Sequence, residues 1–492
     1  MKYMEYITCF ITGFAVLVFE LASFRLLAPY FGVSTYVTGS IINTILLALS
    51  IGYILGGYAA DKYKSGRLPY LVILASTVYL FLIYAVYPQI LHSLSFRSVI
   101  LGSSVAILSM FFIPMVLLAF IPPYFIKLLA HKNHVGKAAG GIFSLSTVGS
   151  IIGGIATTFL FIPHLGSRMT FFLTVILLLV ISVAGLWRFT KFSPLLLFLF
   201  IPFKYVSANT ANFLYSTESE YNIIMVTEEY GQRFLRLNKL WGYHSKSLNP
   251  DTKLSGDYYD EFLVAQLFLN AKRTLILGNA AGTSMMQTRH FFTTAVDGVE
   301  IDPVITEVGK KYFGLVLDDK TRVYHEDART YLIKNQKKYD VIYVDVFAGS
   351  AYVPFHVVTK EFFELVKASL SENGVMAVNL HPYPSDAEIK EYILNTVVTV
   401  FPYSFLSQHL LYSFKNHTDV TKLRASLERS KIPLSLVPIA SRTLRNMHKI
   451  RLTSAEKIFT DDYAPVESMT YAVLRKLRSL GIDRGIPLTQ TP

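Results

Sequence analysis

Acidic residues close a series of short apolar runs in the C-terminal half of this chain. They are Glu300 and Asp302 in Val299-Glu-Ile-Asp302, Asp327 in Glu326-Asp-Ala328, and Asp345 at the end of Tyr339-Asp-Val-Ile-Tyr-Val-Asp345. Upstream lies Leu275-Ile-Leu-Gly-Asn-Ala-Ala-Gly-Thr283, an apolar run that ends in a turn carrying Gly278 and Gly282. Glycines at a strand-to-helix turn let backbone approach a ligand closely. Glu300 follows Gly278 at the spacing where an acidic side chain accepts hydrogen bonds from ribose hydroxyls. A nucleoside of the adenosyl type is therefore expected, with Gly278, Gly282 and Glu300 holding it and Asp345 as the candidate for chemistry. No spaced set of His and carboxylates suggests a metal.

Such residues need a scaffold. The runs are rich in β-branched residues and each ends in polar chemistry, as parallel strands do in an open α/β sheet that binds ligands at its carboxyl edge. The pattern extends at least to Leu380. Ahead of it, Ser219 to Val226 and Gly231 to Asn238 read as two strands joined by a Gly-containing turn, and Asp257-Tyr-Tyr-Asp-Glu261 opens an amphipathic helix. The expected organisation is a helical membrane domain over 1–206, a small β-hairpin subdomain over 207–262, and a doubly wound Rossmann-like domain over 263–492.

The membrane assignment rests on bulk and pattern. The chain has 492 residues, 52% of them hydrophobic and only 16% charged, with a mean hydropathy of +0.41. That is too apolar for soluble domains alone. Apolar blocks fall at roughly 6–27, 36–60, 68–90, 99–129, 138–162 and 168–187, each long enough to cross about 30 Å of hydrocarbon. A shorter block at 193–206 reads as interfacial or re-entrant. Lys62, Lys64, Arg67, Lys127, Lys132, Lys137, Arg188 and Lys191 flank one side. Six spans then put both termini, and the C-terminal domain, in the cytoplasm of a multi-pass inner-membrane protein, whereas a seventh would send that domain outside. Gly56-Gly57-Tyr-Ala-Ala-Asp61-Lys62 resembles a loop signature of major facilitator transporters, and Gly140, Gly141, Gly149, Gly153 and Gly154 are read as close-packing faces. Glu20 and Arg25, on one helix near the bilayer boundary, read as an interfacial or packing pair, with a substrate path as the alternative. The net charge of +12 is dispersed, which argues against nucleic acid. The single Cys9 excludes an intrachain disulfide.

Residues from about 216 to 470 resemble the spermidine synthase family of polyamine aminopropyltransferases, in the form fused to a multi-span membrane domain. The Ser219-Glu-Tyr-Asn-Ile start, the Tyr259 helix entry, the glycine turn, Val299-Glu-Ile-Asp302, Asp327, Asp345, Pro354-Phe-His356 and Glu361-Phe-Phe carry the resemblance. It implies decarboxylated S-adenosylmethionine as co-substrate and a diamine such as putrescine as acceptor. Asp327 and Ala328 would lie near the adenine amino group, Asn222 in the cofactor site, and Asp345 would orient the amine and take its proton. A sulfonium carbon has a neutral leaving group, whereas an alkylammonium must first lose a proton. Tyr259, Asp260, His356 and Asp462 are the expected substrate-binding residues, with Glu261 and Asp461 as further candidates; His381 could also line the site.

The chain departs from the family in its carboxylates. Ala281 stands where an Asp would hold the aminopropyl end, Ala348 replaces a second acid three positions after Asp345, Asn222 replaces a Gln, and Asp260 replaces a His. Missing partners should weaken amine recognition. A methyltransferase using intact S-adenosylmethionine is the second expectation, because losing an acid at 281 removes repulsion against the methionyl carboxylate. A transporter or sensor that binds nucleoside or polyamine without turnover is the third, and a homodimer is left open.

Overall fold

The computed structural model describes residues 2–31, 34–95, 99–130, 135–189, 213–238, 242–346, 353–380, 384, 387–429 and 432–479. The chain divides into two compact units. One comprises Met1–Thr210, Glu218–Glu220 and Pro487–Pro492, and the other Ala211–Thr217 and Tyr221–Ile486.

The first unit is helical: α1 (Lys2–Phe31), α2 (Thr35–Lys62), α3 (Leu68–Ser95), α4 (Val99–Ile107), α5 (Ile113–Ala119), α6 (Ile121–Leu129), α7 (Val135–Ala156) and α8 (Ile162–Trp187). Among the described residues, five helical runs are long and apolar enough to cross a membrane by length and composition. The last, Val135–Trp187, has 53 residues. At about 1.5 Å per residue it is more than twice the length a bilayer needs. It breaks at Gly166, whose φ of 75° and ψ of 166° are not helical, so this run contains both the fifth and the sixth expected blocks. The expected block at 193–206 lies outside the described residues. Small residues let α1 and α7 touch: a Cβ at Gly149 would stand 2.1 Å from the Phe10 carbonyl oxygen, and one at Gly153 2.6 Å from that of Phe14. Gly140 has nothing near it, so it takes no part in that contact.

The second unit carries a four-stranded sheet, β1 (Phe213–Glu218), β2 (Ile223–Glu229), β3 (Gln232–Leu237) and β4 (Ser245–Lys246). The α/β layer follows as α9 (Tyr259–Leu267), β5 (Arg273–Leu277), α10 (Thr283–Phe291), β6 (Ala295–Val299), α11 (Pro303–Val308), β7 (Thr321–Tyr324), α12 (Ala328–Lys334), β8 (Tyr339–Val344), α13 (Lys360–Ser369), β9 (Leu370–Asn379), α14 (Glu388–Val400), β10 (Tyr403–Ser407) and β11 (Leu410–Phe414). The chain closes with α15 (Val420–Arg429), α16 (Val437–Asn446), β12 (His448–Lys449) and α17 (Val466–Ser479).

The large sheet runs β12-β10-β11-β9-β8-β5-β6-β7. Its five strands from β9 to β7 pair in parallel, and β11, β10 and β12 add an antiparallel edge. The direction of winding reverses between β5 and β8, the place where such sheets open a crevice at their carboxyl ends. Both faces are covered, which explains the unbroken apolar runs. Leu275, Leu277, Ile342 and Val344 pack into one core, and Ile276, Val341 and Tyr343 into the other. The β2–β3 ribbon buries Ile224, Val226, Leu235 and Leu237 against Ile305, Val308 and Phe313, beside the glycine turn. Of the small β-rich subdomain expected over 207–262, β2 and β3 thus share a core with α11 of the α/β layer.

Candidate active site

The turn after β5 is backbone architecture first. Gly278 has φ +83°, and a Cβ there would stand 2.1 Å from the carbonyl oxygen of Asp345, so only glycine lets β5 and β8 close at this point. The amides of Gly278 and Asn279 both donate to the Val299 carbonyl at 3.0 Å, tying the turn to the end of β6. Gly282, at φ +91°, starts α10.

Glu300 follows β6 directly and is buried. One of its oxygens accepts the Ala280 amide at 2.8 Å and the other the Asp302 amide at 3.1 Å. Burial pushes its carboxyl up to about 7, against the pull of those amides. Asp302 caps α11 through the Val304 amide at 3.1 Å and accepts the Asn222 side-chain amide at 3.2 Å. Asn238 donates to Asn222 at 2.8 Å in turn. Asn222 thus braces the loop that holds Glu300.

Asp327 caps α12, accepting the amides of Arg329 and Thr330 at 3.0 and 2.9 Å on one oxygen. Its other oxygen lies 3.0 Å from His356 Nε2. That imidazole, with burial opposing, holds the Asp327 carboxyl down at about 2. His356, expected among the substrate-binding residues, is here the partner of Asp327, and Ala328 is buried at the start of α12. Arg329 donates to the His356 carbonyl at 3.1 Å and grips Asp461 with both terminal nitrogens at 2.6 and 2.5 Å. Asp461, offered as a possible amine ligand, is thereby a tether. Asp462, one residue on, is exposed.

Asp345 follows β8 at the reversal point and is partly buried. Its two oxygens accept the Asn379 side-chain amide at 2.8 Å and the Tyr258 hydroxyl at 3.2 Å. Burial raises its carboxyl to about 6, and the two donors restrain the rise. Ionised at neutral pH but close to titration, it suits proton transfer. The rings of Tyr258 and Tyr259 lie 4.1 Å apart beside it.

Two expected carboxylate positions resolve differently. Asp260 accepts the amides of Ser255 and Gly256 at 2.8 and 2.9 Å, the Ser255 hydroxyl at 2.6 Å and the Gln287 amide at 2.5 Å. With four donors on two buried oxygens it closes the turn before α9, and the substrate role expected of it is not what its surroundings provide. Ala281 is fully buried in the apolar cluster with Ile305 and Val308, and its amide donates to Ser245 Oγ at 2.9 Å. An acid there would face hydrocarbon. Ala348 and His381 lie outside the described residues. Among those described, no group of His, Cys, Asp and Glu could hold a metal ion.

Neither Tyr258 nor Asn379 stands out in the sequence as a site residue. Asn379 ends a parallel strand beside β8, so the rule that singled out Asp345 applies to it equally. Tyr258 is one of a tyrosine doublet at a helix entry, and spacing alone does not say which ring turns toward Asp345.

Residues 261–416 match the spermine/spermidine synthase domain family. A probable polyamine aminopropyl transferase from Bifidobacterium longum is 36% identical over 194 residues, covering 39% of this chain and 42% of that protein. The chain thus spans less than half the length of that relative. Polyamine aminopropyltransferase 2 from Aquifex aeolicus is 25% identical over 391 residues, covering 74% of this chain and 76% of its own. That stretch is longer than the α/β unit, so the alignment extends into the helical one. An eEF1A lysine and N-terminal methyltransferase from Mus musculus is 30% identical over 148 residues, covering 27% of this chain and 21% of its own. The crevice between β5 and β8, with Glu300, Asp327 and Asp345 at its strand ends, thus lies within residues 261–416, the part of the chain that matches the spermine/spermidine synthase domain family.

Proposed function

We propose that the chain is a membrane-anchored aminopropyltransferase whose α/β unit works at the cytoplasmic face of the inner membrane. Its co-substrate is decarboxylated S-adenosylmethionine and its acceptor a diamine such as putrescine. Glu300 takes the ribose hydroxyls and Asp327 the adenine amino group, with Gly278 and Gly282 giving the nucleoside room. Asp345 accepts a proton from the acceptor ammonium. The freed nitrogen forms a bond to the aminopropyl carbon as that carbon's bond to sulfur breaks, and methylthioadenosine leaves with the electron pair.

The observation that carries this reading is the placement of Asp345 at the reversal point, held by Tyr258 and Asn379, where burial pushes its carboxyl up to about 6. A carboxylate with that value is charged at pH 7 yet basic enough to take a proton. Membrane anchoring rests on the five apolar helical runs and the basic residues that flank them.

A methyltransferase remains as a second reading because Ala281 offers no carboxylate to repel the methionyl end of intact S-adenosylmethionine. The two are separated by product. Detergent-purified protein is incubated with either donor and a diamine mixture, and the nucleoside is identified by mass spectrometry. Methylthioadenosine that requires the amine and is lost in Asp345→Asn supports the first. S-adenosylhomocysteine from intact donor overturns it in favour of the second.

A further inference from the structure

A diamine acceptor carries two ammonium groups, and Ala348, standing where a second acid would follow Asp345, offers the far one no carboxylate. Asp257 stands one residue before Tyr258, at the entry to α9. It is partly buried, and its carboxylate accepts the Tyr258 amide at 2.7 Å and the Tyr243 hydroxyl. Tyr258 spans the gap between two acids, with its backbone amide on Asp257 and its hydroxyl on Asp345. The rings of Tyr258 and Tyr259 lie against each other with their planes tilted by 31°, and the charges of both Asp345 and Asp257 bear on the buried Tyr259 phenol.

On the other side of Asp257 lies His409, in the turn between β10 and β11. Its carbonyl accepts the Leu380 amide at 2.8 Å, and the next residue, Leu410, pairs with Asn379, which holds Asp345. His409 also faces Lys390 of α14 and Arg442 of α16, and burial with those cations lowers its imidazole below the usual histidine range, against the opposing charge of Asp257. Glu261 and Asp260 add their charges to the same region. Asp260 is saturated by its four donors and the Glu261 carboxylate faces the His409 amide, which leaves Asp257 as the acid next to the tyrosine pair.

We infer that Asp257 is the second carboxylate of the amine site and sets its preference for an α,ω-diamine, holding the far ammonium while Asp345 holds the reacting nitrogen. This rests on the aminopropyltransferase reading above. A charge-assisted hydrogen bond to a carboxylate contributes enough that its loss lowers affinity roughly 10- to 100-fold.

The test is the ratio of kcat/KM for putrescine to that for butylamine, which has the same chain and one nitrogen. It is measured on full-length detergent-purified protein with decarboxylated S-adenosylmethionine. Asp257→Asn keeps an acceptor for the Tyr258 amide, and Asp257→Ser is measured beside it because serine caps helix entries equally well. The ratio is expected to fall about 10- to 100-fold in both variants. An unchanged ratio in a folded variant overturns the assignment of Asp257 while the transferase reading stands. Absence of methylthioadenosine from the unaltered protein overturns that reading, and the Asp257 assignment with it.

Discussion

Asp345→Asn should make the protein more stable as it makes it inactive, and the gain should depend on pH. Burial raises the Asp345 carboxyl from 3.8 to about 6, so the folded protein binds this proton more tightly than the unfolded chain does. The cost of ionising it in place is absent below the unfolded value and fully present above the folded one. At about 1.4 kcal/mol per pKa unit the full cost is about 3 kcal/mol, and residual solvent contact lowers it to roughly 1–3 kcal/mol. Asparagine is nearly isosteric, keeps hydrogen-bonding atoms facing Asn379 and Tyr258, and carries no charge. Urea unfolding of both proteins, followed by circular dichroism at pH 8 and pH 5, measures the difference. Other groups such as Glu300 are common to both chains and cancel. The variant should be more stable at pH 8, by about twice its margin at pH 5, with turnover down on the order of 100-fold or more. A pH-independent gain, or a loss of stability at pH 8, would refute the claim that this carboxylate is held against its own solvation.

Further outcomes follow from the same geometry. Tyr258→Phe removes a donor that lowers the Asp345 value, so the acid limb of the kcat profile should move to higher pH; an unmoved limb would deny the hydroxyl its positioning role. Ala281→Asp should cost on the order of 3 kcal/mol or more by placing an unpaired acid among Ile305 and Val308, so a fall in unfolding midpoint is expected in place of improved amine use. Glu300→Gln leaves one of two backbone amides without an acceptor and should weaken methylthioadenosine binding roughly 10- to 100-fold by calorimetry; unchanged affinity would remove Glu300 from the nucleoside site.

The strand-end acids were legible because a parallel strand buried on both faces must be apolar throughout, so the first polar residue after it marks the carboxyl edge of the sheet. Glu300 and Asp345 stand at such ends, next to β6 and β8. The glycine turn was legible for a similar reason: Gly278 meets the Asp345 backbone at a distance no side chain tolerates. Asp260 and Asp461 were not. Each is an acid near the motif in sequence, but one is consumed by local turn amides and the other by an arginine more than a hundred residues away. Composition cannot distinguish an acid awaiting a ligand from one already satisfied, because both look alike until donors are placed around them.

By itself the sequence determined the apolar helical runs, the order of strand and helix, and which acids stand at strand ends. These follow from local periodicity and from the length a chain needs to bury or to span. Only the tertiary structure decided which donors surround each of those acids. It paired His356 with Asp327, buried Ala281 in hydrocarbon, and set Tyr258 between Asp257 and Asp345. A side chain's chemistry depends on what desolvates it and what donates to it, and those neighbours come from distant parts of the chain.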